Sequence, residues 1–399
     1  MTKEKGHEPL FQISKRMEIS SAKKWIIRLV AGMLALLVCS LFALIFTKDY
    51  GGFYKSIITG NFGSSIMTWG MLQRLAILLC IALALTPAFK MKYWNIGGEG
   101  QVLVSCLVCA VCMYYIKNSM SQALLSILCL LLGVVAGMIW AVIPALFKAK
   151  WNTNETLFTL MMNYVAMAMV SFFISYAIRS GSGVLGYQQY GHMPKLEIPG
   201  LSSSGQGYLL IVILVAVLTI LMYVYLRFSK HGYEISVVGE SENTARYIGI
   251  NVKKVIIRTL LLSGAICGFA GWLLVTGVSF TVNENQVGGN GFTAILVSWL
   301  AHFNPLAMIL TAFLVVFLKQ GASQLVTDYK LGTEYIGDVI VGLFFFFIIG
   351  CEFFINYKVS IRKRHKKEDT PPAVPEPQLE DVESLKTPTD GENATEVKQ

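Results

Sequence analysis

KHGYEISVVGESENTARYIGINVKK, residues Lys230–Lys254, is charged at both ends and lies between two long apolar runs. It carries the punctuation of a short helix. Ser241 suits an N-cap, and Glu242 puts a carboxylate in the first turn, where the helix dipole favours negative charge. Ala245, Arg246, Tyr247 and Ile248 continue the helix, and Gly249 stands where a left-handed residue would stop it. Such a helix is only about two turns, roughly 10 Å at 1.5 Å per residue. It is marginal in water unless it packs on something. Val237, Val238, Tyr247, Ile248 and Ile250 offer apolar area, either to the flanking helices or to a partner. The stretch therefore has two readings: a rigid lever through which a soluble engine moves a membrane domain, or a structured loop joining two spans.

Composition sets the class. The chain is 54% hydrophobic and 14% charged over 399 residues, whereas soluble domains carry about a quarter charged residues. It is an all-α polytopic membrane protein. The formal net charge of +9 is no nucleic-acid signal, because the basic residues cluster beside apolar runs, as loops facing lipid headgroups require. All eight cysteines lie in apolar segments. Cys106, Cys109 and Cys112 share a helical spacing without an accompanying histidine or carboxylate, so they read as packing residues and no metal site is expected.

Apolar runs are expected to cross at about Ile26–Phe46, Met71–Phe89, Gln101–Ile116, Gln122–Phe147, Glu155–Ile178, Tyr208–Phe228, Val255–Val278, Gly291–Phe303, Pro305–Lys319 and Tyr335–Tyr357. Most approach the roughly 20 residues that span a bilayer. The eighth and ninth are short and parted only by Asn304-Pro305, which leaves open one broken re-entrant pair. Lys/Arg asymmetry places both termini, the lysine pairs Lys90/Lys92 and Lys148/Lys150, and the Lys230–Lys254 loop in the cytoplasm, with Arg179–Gly207 outside. The domain reading is a cytoplasmic N-terminal segment (1–25), a membrane domain (26–357), and a basic then acidic, Pro-containing tail (358–399) whose composition fits disorder.

An internal echo follows. The second five runs repeat the first at an offset of roughly 180 residues, and an odd number of spans per repeat inverts one half against the other. After runs two and seven stand Gly97-Gly98-Glu99-Gly100 and Gly288-Gly289-Asn290-Gly291, each before a new apolar run. Glycine admits close backbone approach, the helix start behind it offers free N–H groups, and broken helices of inverted repeats are where transporters hold substrate. Gly-Gly pairs that are merely turns are the plain alternative.

The residues around these glycines resemble a known family. Trp94-Asn95-Ile96-Gly97-Gly98-Glu99-Gly100-Gln101 is similar to the F-N-I-G-x-E-G-Q signature of bacterial ABC importer permeases for simple sugars and nucleosides. Glu155 to Tyr164 (ETLFTLMMNY) resembles the E-V-I-x-T-I-M-L-N-Y of its nucleoside branch. Gly232-Tyr233 through Gly239-Glu240 to Ala245-Arg246-Tyr247-Ile248-Gly249-Ile250 resembles its cytoplasmic coupling segment, with Ser236 and Glu242 departing from the usual arginine and proline. Gly291–Ile295 and Asn304-Pro305 echo its G-F-x-G-I…N-P, so the likeness spans roughly residues 70–350.

The resemblance implies a permease subunit that pairs with a second, homologous permease in a bacterial plasma membrane. ABC ATPase subunits would dock on its cytoplasmic loops, and an extracellular lipoprotein would deliver substrate. It also implies that ATP and Mg bind only on the ATPase, with no cofactor on this chain. The residues agree, since no G-x-x-x-x-G-K-[ST], H-E-x-x-H or G-x-S-x-G occurs. Gly239, Glu240, Ser241, Ala245, Arg246, Tyr247 and Gly249 are the expected coupling residues. Asn95, Gly97, Gly98, Glu99, Gln101, Phe158, Asn163, Gly289 and Asn290 are the expected substrate-path residues.

Each has a plainer role in competition. Glu99 can pair with Lys90 or Lys92 in a loop; Asn163 can join helices; Phe158, Tyr164, Trp69 and Trp299 can pack or anchor at an interface. Arg74 and Arg258 read as snorkelling cations. The rival function is an ion-coupled transporter, which needs titratable relays inside the spans; here Glu99, Glu155, Glu284, Glu334, Asp338 and Glu352 all fall at run ends. A passive channel needs no capped cytoplasmic helix. ATP-driven import of a nucleoside is the first reading and of a simple sugar the second.

Overall fold

The computed structural model describes residues 11–15, 20–116, 119–178, 183–186, 188–331 and 335–361. Their elements are β1 (Phe11–Lys15), α1 (Ser21–Thr47), α2 (Tyr50–Phe62), α3 (Ser65–Lys90), α4 (Gly98–Ile116), α5 (Gln122–Trp151), α6 (Glu155–Ile178) and β2 (Val184–Leu185). There follow α7 (Ser203–Phe228), α8 (Lys230–Glu240), α9 (Glu242–Tyr247), α10 (Val252–Leu274), β3 (Val282–Asn283), α11 (Asn290–Leu300), α12 (Pro305–Asp328), α13 (Tyr335–Asn356) and β4 (Tyr357–Ile361).

Two units result. In the smaller, β1 and β4 pair antiparallel from Phe11↔Ile361 to Lys15↔Tyr357. One strand precedes the first apolar helix in the sequence and the other follows the last. The first residues of the expected tail, Lys358–Ile361, are therefore strand; residues 362–399 lie outside the described residues.

The larger unit, Ser20–Phe353, is helical. Nine of its described helices are long and apolar enough to cross a membrane. The eighth expected span is instead the eleven-residue α11, roughly 16 Å at 1.5 Å per residue. The ninth runs on past Lys319 to Asp328, and the second starts at Ser65, six residues before the apolar run. α3, α4 and α10 are buried along most of their length, while α1, α5, α6 and α7 keep apolar faces exposed, as helices against lipid must. Two glycines on α5 meet two on α10 at matching four-residue spacing. A Cβ on Gly137 would stand 2.3 Å from the Gly264 carbonyl oxygen, and one on Gly268 2.6 Å from that of Gly133. Only glycine permits that approach of two backbones.

The ends of the bundle are distinct. At the lysine-rich end, Lys148 pairs with Glu155 at 2.9 Å, and the Gly239 backbone lies on the Lys90 carbonyl. At the other end β2 pairs with β3, Gln188 N–H donates to Phe280 O, and Met193 N–H donates to Thr276 O. From β3 the chain descends, and the Gly289 N–H reaches Glu99 at 2.8 Å. α11 then carries it on to Trp299, whose ring lies 5.3 Å from that of Trp94 at the lysine-rich end. A loop and a half-length helix thus make the tenth crossing.

α4 and α11 meet start to start. Glu99 belongs to the first turn of α4, and its carboxylate accepts from Gly289 N–H at 2.8 Å and Gly291 N–H at 2.7 Å at the start of α11. Two positive helix ends share one buried negative charge. Glu99 therefore does not pair with Lys90 or Lys92, the loop alternative.

Removing that carboxylate strands two backbone donors, a loss of about 2–4 kcal/mol. Glu99→Ala should unfold well below wild type in a thermal melt of the purified protein, with Glu99→Gln between; an unchanged melt for Glu99→Ala refutes the junction. Gly137→Ala should lower stability by about 1–3 kcal/mol through overpacking. Gly207→Ala, with nothing within 4 Å of the added Cβ, should not. Equal melting of these two variants would show that the α5–α10 contact is loose.

Candidate functional site

The break before α4 is built from amides. Asn95 is fully buried; its Oδ1 accepts from Gly97 N–H at 3.1 Å and from Gln101 Nε2 at 3.2 Å, and its Nδ2 donates to Ser263 Oγ. Thr159 and Asn163 stand one turn apart on α6. The Thr159 hydroxyl accepts from Ile96 N–H, while Asn163 accepts from Gly100 N–H at 2.9 Å and donates to Ile96 O at 3.0 Å. These side chains satisfy orphan groups at a helix start inside the membrane, where water is absent. Gly98 packs beneath Leu85. Asn95, Gly97, Gly98, Gln101 and Asn163 thus form a pinned, buried frame; none of them lines the cavity beside it.

That cavity, about 260 Å³, lies between α3, the end of α10, the start of α11 and α12. Its polar wall is Gln73, Arg74, Gln286, Asn290, Thr293, Lys319, Gln320 and Ser323. Of the expected path residues only Asn290 lines it, with Gly289 adjacent and turned left-handed (φ +74°). Glu99 sits behind the wall, within charge reach of Lys319. Arg74 was expected to snorkel from a span starting at Met71. Because α3 starts at Ser65, Arg74 falls well inside the helix and in the wall. Gln73, Lys319 and Gln320 escaped the sequence reading for a related reason: falling hydropathy at Lys319 ended the expected span, although the helix continues for nine more residues. The usable signal was cations and amides recurring in helices too long to end there.

Phe158 lies elsewhere. Its ring lies 4.9 Å from that of Phe147, tilted against it, and lines an open apolar groove with Leu157, Met161 and Val165, a surface suited to lipid acyl chains. Tyr164 is exposed, Trp69 packs against Gly205, and Trp299 rests on Trp94, so no aromatic of the sequence reading lines the cavity.

At the lysine-rich end, Lys230–Lys254 folds as two helices. α8 was not expected. Ser229 caps it by accepting from Gly232 N–H at 2.9 Å, and Ser241 caps α9 by accepting from Thr244 N–H at 3.2 Å. Gly249 closes the turn at φ +86°, and Asn251 caps α10. The packing divides the segment. Gly239 and Ala245 are buried; Val238 joins the core. Glu240, Arg246 and Gly249 are exposed, and Tyr247 is 92% exposed beside the half-exposed Ile248. Arg246 pairs with Glu242 at 3.2 Å along the helix. Burial holds the His231 imidazole below its ordinary pKa, so this surface gains no charge from it near neutral pH. The result is a short, doubly capped helix anchored through one face with an aromatic and an aliphatic side chain held out on the other.

Comparison with known proteins agrees with this architecture. Over 332 residues the chain is 28% identical to the glucose ABC transporter permease protein TsgB13 of Haloferax volcanii, covering 81% of this chain and 85% of that one. It is 27% identical to the guanosine ABC transporter permease protein NupP of Bacillus subtilis, covering 81% and 92%. It is 23% identical to the nucleoside ABC transporter permease protein NupB of Lactococcus lactis, covering 88% and 97%. No solved structure matches the chain. Residues 67–349, from the start of α3 into α13, match the family described as branched-chain amino acid transport system / permease component. The chain belongs to this family of ABC transporter permeases.

Proposed function

We propose that this permease subunit imports nucleosides across a bacterial plasma membrane, driven by ATP hydrolysed on ATPase subunits that seat α9 in a cleft. Its lysine pairs, the Lys230–Lys254 loop and each terminus face the cytoplasm. A second homologous permease completes the pathway, an extracellular lipoprotein delivers the substrate, and ATP and Mg stay on the ATPase. The observation that carries the coupling reading is Tyr247, 92% exposed on a capped helix seated through the buried Ala245. ATP-driven closure shifts a membrane domain only through a contact that differs between two states, and a stiff lever with exposed apolar anchors supplies one. Glu240 and Arg246 set register around that anchor.

Nucleosides are the first substrate reading because two of the relatives above are named for guanosine and nucleosides, and because the cavity wall is rich in amides that match base edges and ribose hydroxyls. A simple sugar is the second, favoured by the likeness to the glucose permease.

Tyr247→Ala removes the anchor, and Gly249→Val puts a β-branched residue at a positive φ. Both variants should insert normally, yet lose the ATPase on purification or lose substrate-stimulated ATP hydrolysis by about tenfold or more. Wild-type coupling in both would make the loop a connector. In the same assay, the binding lipoprotein loaded with a nucleoside should stimulate hydrolysis more than when loaded with a hexose; the opposite order selects the sugar reading.

A further inference from the structure

The described helices pack around two hydrophobic cores, and polar openings lie along the seam between them. α1, α2, α13 and the second half of α12 share one core, built from Ala35, Phe53, Ile57, Leu318, Leu325 and Phe344. α3, α4, α10, α11 and the first half of α12, with Met308, Val315 and Val316, share the other. The cavity of about 260 Å³ lies on this seam and reaches Ser323 of α12. From Gln324 onwards a wider cleft of about 830 Å³ opens between α2 and α12, with Lys55, Ser56, Thr59, Ser64 and Asp328 in its lining. Its carboxylates are already held. Asp328 accepts from Ser56 Oγ at 2.6 Å and from Gln324 Nε2 at 2.7 Å, and Asp49 accepts from the Tyr329 hydroxyl at 3.0 Å. One side chain partitions the two openings. Gln320, in the cavity wall, donates from Nε2 to Gly60 O of α2 at 2.8 Å and to Met67 O of α3 at 2.9 Å, and Met67 lines the cleft. At the cavity mouth Arg74 and Ser323 are exposed. A cation exposed within a span is costly against lipid and cheap against water. The exposed mid-span residues of α5 and α7, such as Leu131, Ile139, Val217 and Leu221, are by contrast apolar.

We propose that this seam is the substrate's route from the extracellular side to the cavity, with the cleft as its vestibule and Gln320 as the partition that parts to admit it. At the start of α3, Ser65 Oγ donates to Ser202 Oγ at 3.0 Å. The cleft end of α3 thus lies beside the Arg179–Gly207 segment, which charge asymmetry places outside. α2 and α3 are tied across the seam by the Gln320 amide and by Thr68 Oγ1, which donates to Asn61 O at 3.1 Å. Water or a hydroxylated solute replaces such bonds at small net cost. Each core keeps its own apolar contacts when they part. The inference rests on the import reading, including its orientation, and adds to it the face by which substrate reaches the cavity.

Thiol labelling tests this, because all eight native cysteines are buried and give an impermeant reagent little to attack. The complete transporter is used in right-side-out membrane vesicles, and co-purification with the ATPase checks assembly of each variant. Thiols react as thiolates, which form in water and not in lipid. Thr59→Cys, Ser323→Cys and Gln324→Cys should therefore react with an external charged methanethiosulfonate at least about tenfold faster than Val217→Cys on α7. Uptake of guanosine or of glucose, whichever the binding lipoprotein delivers, is then measured on labelled Gln324→Cys. A bulky adduct should abolish uptake, a methyl-sized adduct should reduce it far less, and the lipoprotein should bind the vesicles equally in both cases. Cleft cysteines no more reactive than Val217→Cys, or uptake undiminished by the bulky adduct, overturn the proposal. Loss of lipoprotein binding with the bulky adduct overturns it too, by making the cleft a docking face. Labelling of the cleft cysteines only in inside-out vesicles, or no uptake of either solute by the wild-type transporter, overturns instead the reading on which it rests.

Discussion

Everything inside the helical body depends on one buried carboxylate serving two helix starts. Glu99 is 2% exposed, an expensive place for an ionised group. The cost is offset by two backbone donors at 2.8 and 2.7 Å and by the positive ends of α4 and α11, which would repel each other without it. Neither helix start could lie in the interior alone, since each leaves unsatisfied N–H groups. Glu99 satisfies the start of α11, and Asn95, Thr159 and Asn163 satisfy the break before α4. The membrane forbids irregular backbone against lipid but accepts it within protein, which is why this frame lies behind α3, α6 and α10.

The cavity follows from the same junction. Because α11 begins in the interior and not at a bundle end, space opens between its start and the sides of α3 and α12. The polar residues of those two helices, Gln73, Arg74, Lys319 and Gln320, come to face it. The glycine contact of α5 with α10 holds α10 close to the frame from the other side. At the lysine-rich end, α8 and α9 are joined to the same body through Gly239 on the last turn of α3. α8 and α9 thus rest on the helix whose opposite half lines the cavity.

Much of this was legible before any coordinates. Class, most of the helical runs, the Ser241 cap and the Gly249 stop follow from local rules, and the cap and the stop stand where those rules put them. The glycine quartets at 97–100 and 288–291 point to one site, and they do adjoin. What they form, however, is a frame and not a lining, because whether an amide faces a ligand or a neighbouring N–H depends on a helix distant in sequence: α6 for Asn163, α10 for Asn95. The cavity wall was illegible for a different reason. Hydropathy ends a span at the first cluster of polar residues, and here those polar residues lie in mid-helix, at Arg74 of α3 and Lys319-Gln320 of α12. The position of Phe158, on a surface suited to lipid, likewise depends on which face α6 turns inward, and that apolar helix shows no periodicity that would tell.

The most direct test of the account is a cryo-electron microscopy map of the assembled transporter that resolves side chains in the membrane interior. The account predicts the Glu99 carboxylate within about 3 Å of the Gly289 and Gly291 amides, with α11 starting in the interior and ending near Trp94. Glu99 turned towards Lys90 or Lys92, with α11 starting at a membrane surface, would contradict it.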